Sequence, residues 1–268
     1  MTVPLSYLAF HVLFILPPII CLGWLAFSRT GAVWGTEPLL GLFVLVTLAV
    51  VYTTPWDNHL IDVGVWWYGE GAIAETIWHA PIGEYLFFVL QPILTGFWLF
   101  QFSRFRRRLT ERLLQLSWTL RVAGFGFGFA VSAIGWLWVG ESSTFYLGAI
   151  LLWAGPILAI QWAFGLSALW DVRRTVGIAV LVPTVYLWVV DRIAIGLGIW
   201  QISEHYTTGY ALAGLPIEEA LFFLVTNVFV VQGLVLYLWV LDRRHELRSL
   251  VPIRNRPSAI DREGSRQP

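Results

Sequence analysis

The chain has no lysine, one cysteine and one methionine, and only 13% of its 268 residues are charged. Because all 17 basic residues are arginine, a protein built on a retinal Schiff base, which needs a lysine amine, is excluded. The lone Cys21 excludes an intrachain disulfide and a cysteine-based metal cluster. A dominant charge sign is also missing, since 17 arginines face 17 acids, and nothing in the pattern points to nucleic acid.

What fills the chain instead is apolar. It is 57% hydrophobic and carries 16 Trp, far from the composition of a soluble domain. Seven stretches hold no charge: 1–28, 38–56, 85–103, 122–140, 142–170, 175–190 and 220–241. A helix crosses a bilayer with about 20 mostly apolar residues. The short stretch 175–190 is expected to run on through Asp191 and Arg192. The first stretch lacks a basic leader and a small-x-small cleavage site, so it reads as a helix rather than a signal peptide. The expected fold class is an all-α integral membrane protein with seven transmembrane helices.

Arginine orients those helices. "RFRRRLTER" (104–112), "RR" (173–174), Arg29 and "RRHELR" (243–248) fall on one side, which the positive-inside rule makes cytoplasmic. The N-terminus is then outside, the C-terminus inside, in a multi-pass protein of the cell membrane. The polar tail 249–268, with three prolines, is expected to be disordered.

An internal repeat follows. "DNHLIDVGVW" (57–66) aligns with "DRIAIGLGIW" (191–200) at an offset of 134, matching Asp57 with Asp191, Gly64 with Gly198 and Trp66 with Trp200. One residue of slippage later, Pro81, Glu84, Phe87 and Phe88 match Pro216, Glu219, Phe222 and Phe223 at 135. This predicts two three-helix units, 1–103 and 142–242, joined by 104–141 and followed by 243–268. An odd number of helices would invert the second unit, but the extra helix with "GFGFGFA" (124–130) restores its direction. The repeats are therefore parallel, about an axis along the membrane normal. The alternating glycines read as close helix packing.

Nine of the 17 acids lie in 55–88 and 189–223, where Arg192 is the sole strong base. Ionisable groups at membrane helices are costly and mark function. Glu70, Glu75 and Glu204 read as solvated, and a cap-only role is the plain alternative for Asp57 and Asp191. Glu84 and Glu219 stand apart, because each follows a proline suited to a helix start and shares a helix face with residues three and four further on. Those are Phe87 and Phe88, or Phe222 and Phe223, with Gln91 or Thr226 a turn beyond. Asp57 and Asp191, ending the preceding helices, are expected at a similar depth, so an Asp and a Glu can meet in each unit. A carboxyl in apolar surroundings near another carboxyl stays protonated and can donate its proton. Phe and Trp faces stabilise a cation without attacking it. The combination suits protonation of an alkene in a lipid-soluble polyene, and the residues alone carry the argument this far.

"PWDNHLID", "PIGEYLFF" and "LPIEEALFF", set in two tandem three-helix units, resemble the lycopene cyclase domain family over about 1–242. The resemblance implies lycopene β-cyclase activity: protonation of a ψ end, closure of a six-membered ring and loss of a proton, from lycopene through γ-carotene to β-carotene. The family's Pro-x-Glu-Glu/Tyr motif falls on Pro216, Glu218 and Glu219, whereas Gly83 stands at the position of Glu218 in the first unit. The candidate catalytic residues are thus Glu84, Glu219, Glu218, Asp57 and Asp191. The candidate substrate-binding residues are Phe87, Phe88, Phe222, Phe223, Trp66 and Trp200. Whether one site or two exist is left open by the residues.

No cofactor or metal is expected, since no G-x-G-x-x-G follows a strand. The expected partners are the polyene and membrane lipid. Other readings fit less of the sequence. "DNHLID" resembles a Mg²⁺-diphosphate motif of membrane prenyltransferases, but Asp62 aligns with Gly196 and bases for a diphosphate are scarce. A transporter would use parallel repeats and intramembrane acids too, yet no helix carries an acid near its midpoint. A metalloprotease reading of "EEALFF" lacks a His on the same face. His79 and His205 flank the motifs and read as interfacial.

Overall fold

The computed structural model describes residues 5–34, 36–102 and 117–242. The arginines at 104–112 and 243–248 and the tail 249–268 lie outside the described residues. Among the described residues, seven helices are long and apolar enough to cross a membrane. Helix α1 starts as Tyr7–Phe10, passes one π turn at His11–Ile15 and continues as Leu16–Trp34. It is followed by α2 (Glu37–Val63), α3 (Ile82–Leu99), α4 (Trp118–Trp138), α5 (Phe145–Asp171), α6 (Arg173–Gly196) and α7 (Ile217–Asp242). The fold is all-α, with six short strands confined to the segments between α2 and α3 and between α6 and α7.

Asp57 and Asp191 do not end their helices, contrary to the sequence expectation. Helices α2 and α6 run on to Val63 and Gly196. The stop is set by the glycines that follow: Gly64 and Gly198 take left-handed φ values of 86° and 73°, a conformation that terminates helices at little cost only for glycine. Both aspartates are left inside the helix, 3% exposed.

Strands β1 (Trp66–Tyr68) and β4 (Trp200–Ile202) pair antiparallel, with Trp67 opposite Gln201 at the centre. Around that pair the backbone bonds recur as twins. Gly69 N–H donates to Ile199 O and Ser203 N–H to Val65 O, and Tyr7 N–H donates to Ala72 O as Tyr146 N–H does to Tyr206 O. Val65, Gly69 and Ala72 are related to Ile199, Ser203 and Tyr206 by the offset of 134, and Tyr7 to Tyr146 by 139. Ile82 N–H to Glu75 O and Ile217 N–H to Tyr210 O are related by 135, so the extra residue lies between Tyr206 and Tyr210. Two tight hairpins carry the later offset: β2 (Thr76–Ile77) with β3 (Ala80–Pro81), and β5 (Ala211–Leu212) with β6 (Leu215–Pro216). Each turns on a non-glycine residue of positive φ, Trp78 and Ala213. Pro81 and Pro216 end the hairpins, one residue before α3 and α7 begin.

Helix α4 packs on α5 through glycine. A Cβ at Gly128 would lie 2.3 Å from Ala159 N, and one at Gly135 2.3 Å from Leu152 N. Gly126 meets nothing within 4 Å, and Phe125, Phe127 and Phe129 on that outer side are exposed as lipid-facing residues would be. Deeper in the bundle, Asn227 of α7 accepts from Gln91 and Thr95 of α3 and donates to Thr184 of α6. All four are buried, so this bonded network ties the helices together where an unpaired amide would be costly.

Candidate functional site

Glu84 and Glu219 are the third residues of α3 and α7, directly after the hairpins. The twin strand pairing brings these two helix starts to the same end of the bundle. There Asp57, Glu84, Asp191 and Glu219 line one cavity of about 50 Å³. Each aspartate lies within electrostatic reach of both glutamates. The acids of the two halves therefore share one pocket rather than forming one Asp–Glu pair per half. Its lining contains no cationic side chain; Arg192 instead lies beside Gly214 of the second hairpin. Four carboxyls thus meet within apolar walls with no countercharge among the described lining residues.

The hydrogen bonds differ between the halves. Tyr68 O–H donates to Glu84 Oε1 at 2.7 Å and itself accepts from Trp66 Nε1 at 3.1 Å. Burial, with the Glu84 charge adding to it, pushes the Tyr68 hydroxyl well above its ordinary range, so it stays a donor. In the second half Ile202 stands where Tyr68 would, and Trp200 Nε1 donates to Asp191 Oδ1 at 3.0 Å instead. Glu219 Oε1 accepts from Tyr146 O–H at 2.8 Å. The buried Oδ2 atoms of Asp57 and Asp191 have no hydrogen-bond partner among the described residues.

Aromatic faces complete the walls. Phe87, Phe222, Phe223, Trp66 and Trp200 all line the cavity. Phe88 does not; it turns into a neighbouring groove lined also by Phe87 and Phe222. Residues passed over by the sequence reading join them: Tyr7, Phe10, Trp56 and Tyr146. Tyr7 and Tyr146 had a legible signal, "YL" at 7–8 and again at 146–147, but at an offset of 139 that the helix two–three alignment does not reach. Trp56 has no twin, since Val190 stands at its counterpart, so the repeat could not single it out. It stacks on Phe222 at 5.7 Å and on Trp153 at 4.8 Å.

Glu218 is fully buried but does not line the cavity. Its Oε1 accepts from the N–H and the hydroxyl of Thr208, at 2.7 and 2.8 Å, which anchors the segment covering the second half. Gly83, its counterpart, leaves room for the Tyr7 ring, which a Cβ there would meet at 2.3 Å. His11 Nε2 lies 2.9 Å from Gly83 O. Glu218→Gln keeps an accepting oxygen for Thr208 and is expected to lower activity less than about tenfold. Glu218→Ala strands both donors and is expected to lose ~1–3 kcal/mol of stability, read as a lower melting temperature in detergent. A loss of activity in Glu218→Gln equal to that of a pocket glutamate would return Glu218 to the chemistry.

The remaining sequence candidates lie apart. Glu70, Glu75 and Glu204 are exposed. Asp62 is exposed and pairs with the exposed His79 at 3.5 Å, so the two aspartates of "DNHLID" point to different environments. His205 packs on Tyr206, outside the cavity.

Fold and pocket together define a multi-span membrane protein that sets buried carboxyls among aromatic faces. A lycopene beta-cyclase of Halobacterium salinarum is 47% identical over 242 residues, spanning 89% of this chain and 98% of that protein. Bifunctional lycopene cyclase/phytoene synthases are similar as well. That of Arthroderma gypseum is 35% identical over 253 residues, 86% of this chain and 41% of the fungal protein. That of Leptosphaeria maculans is 39% identical over 199 residues, 70% of this chain and 34% of its own length. No family model matches, and no solved structure matches. The chain belongs to the lycopene cyclase family.

Proposed function

We propose that this protein is a lycopene β-cyclase that works by acid catalysis in the shared pocket. The observation that carries this reading is the meeting of Glu84 and Glu219 with Asp57 and Asp191 among aromatic faces. A glutamic acid protonates the terminal double bond of a ψ end. The tertiary cation is attacked by the next double bond along the chain, the six-membered ring closes, and the charge moves into the ring. Loss of a neighbouring proton to a pocket carboxylate leaves the β-ring double bond. The proton gained equals the proton lost, so substrate and product are isomers and no electrons are transferred. The faces of Trp56, Trp66, Trp200, Phe87, Phe222 and Phe223 stabilise the travelling cation. One pocket holds one end of an extended polyene at a time, so lycopene passes through γ-carotene to β-carotene. The prenyltransferase alternative fits less well, because Asp62 stands outside the pocket, paired with His79.

Purified protein in lipid is expected to convert lycopene to β-carotene, read by chromatography, without added flavin, nicotinamide or metal and in the presence of EDTA. Unchanged lycopene beside folded protein would sink the proposal, and a strict need for reduced flavin would reveal a second component.

The repeat is read as the functional unit: 1–103 and 142–242 each contribute one Asp and one Glu, with 104–141 as linker and 243–268 as tail. The arginine distribution supports a cell-membrane orientation with the N-terminus outside and the tail cytoplasmic. The pocket then lies toward the outer face. In a Cys21→Ser background, Ser142→Cys is expected to react with an impermeant thiol reagent added to sealed cells, and Ser249→Cys only after lysis. Labelling of Ser249→Cys from outside would invert the orientation and leave the carboxyl chemistry untouched.

A further inference from the structure

The acid cavity, at about 50 Å³, is far too small for a whole polyene, so most of the substrate must lie outside it. Beside it, sharing Phe87 and Phe222 as a common wall, lies an apolar groove of about 420 Å³ between α2, α5 and α7. Its outer rim is Leu48 and Ile160, 56% and 66% exposed, while its inner end at Phe87 and Phe88 is buried. It therefore leads from the lipid-facing surface to the aromatic wall of the acid cavity.

The repeat explains why the groove is open on this side. Tyr52 O–H donates to Trp153 O at 2.8 Å, and its counterpart Tyr186 O–H donates to Phe14 O. These twin bonds align α2 with α6 at 134 and α5 with α1 at 139. At the groove, α2 carries Ala49 and Thr53, one turn apart on one face. Their counterparts in α6 are Pro183 and Leu187. On α5 the small Ala154 stands opposite Ile15, which the π turn of α1 delivers to the cavity. Ile15 and Leu187 line the acid cavity and are at most 1% exposed. On the far side Leu187 thus fills the position that the smaller Thr53 holds at the groove on the near side.

We infer that the polyene enters from the bilayer through the α2–α5 groove, with Ala49 and Thr53 as the small residues that admit it. The inference rests on the cyclase reading and adds to it the route, its side and the residues that select for a long, slender apolar chain. The occupant is a hydrocarbon chain because the groove is apolar and abuts, across Phe87 and Phe222, the pocket where its end would react.

The full chain in lipid nanodiscs tests this with lycopene as the probe. Binding is read as quenching of tryptophan fluorescence and turnover by chromatography. Ala49→Phe and Thr53→Leu are expected to lower kcat/KM and weaken quenching, each by about tenfold or more, because bulk added to a filled site is poorly accommodated. Val182→Phe adds bulk comparable to Thr53→Leu at the counterpart of Leu48, on the other side, and is expected to stay within about twofold of the unchanged protein. Thr53→Leu, a smaller increase in bulk that copies Leu187, carries the test should Ala49→Phe fail to fold. If the groove variants match Val182→Phe while the unchanged protein cyclises lycopene, the route is wrong and the cyclase reading stands. If they lose binding in a protein that binds lycopene but never cyclises it, the groove stands and the cyclase reading falls.

Discussion

Cyclisation by Glu219→Gln is expected to fall ~10²–10⁴-fold, the range that a positioned proton donor contributes. The substitution keeps the shape of the side chain and an oxygen to accept from Tyr146, now 2.8 Å away, so the first turn of α7 stays packed. What is lost is the transferable proton. β-Carotene and γ-carotene should both diminish, since the first ring already requires protonation, and the melting temperature should stay within a few degrees. Measuring initial rates and thermal unfolding on the same preparation separates lost chemistry from lost fold. A near-normal rate in well-folded Glu219→Gln would remove the residue from the donor role.

Glu84→Gln is expected to be severe as well, by ~10²-fold or more. Its helix position repeats that of Glu219, and its carboxyl lines the same cavity. Its surroundings are not a copy. Tyr68, held by Trp66, donates to it at 2.7 Å, an arrangement with no equivalent at Glu219. The two single variants and the double variant therefore carry different information. If one single variant is far more damaging, that glutamate supplies the proton and the other supports the charge. If the double is no worse than either single, the two act as a unit. Full activity in both single variants would end the carboxyl proposal.

The pairing of two such glutamates was legible because a repeat is a statement about sequence alone. Charge-free stretches long enough to cross a bilayer announced the helices, since lipid accepts little else. The match of Asp57, Glu84 and their aromatic neighbours at 134 and 135 announced the acids. Gly64 and Gly198 were aligned too, and their left-handed φ now explains why α2 and α6 run past the aspartates. Tyr7 and Tyr146 were within reach of a wider search, because their offset of 139 is as regular as the others.

Other features exist only in three dimensions. Nothing in the order of residues says that β1 pairs with β4, yet that pairing puts four carboxyls from two halves into one pocket. Periodicity reports which face of a helix a residue occupies, not which partner that face meets. So the adjacent pair Glu218 and Glu219 looks like one motif in sequence, but adjacent helical residues point about 100° apart. One is turned to Thr208 and the other to the cavity. Trp56 and Phe222, far apart in the chain, stack only because α2 and α7 pack together. The sequence by itself determined the seven apolar helices, the repeat and the candidate acids, all of which depend on local composition and spacing. The single pocket, the tyrosine donors and the one-sided groove were decided by tertiary packing, because each is a contact between segments whose separation along the chain carries no distance in space.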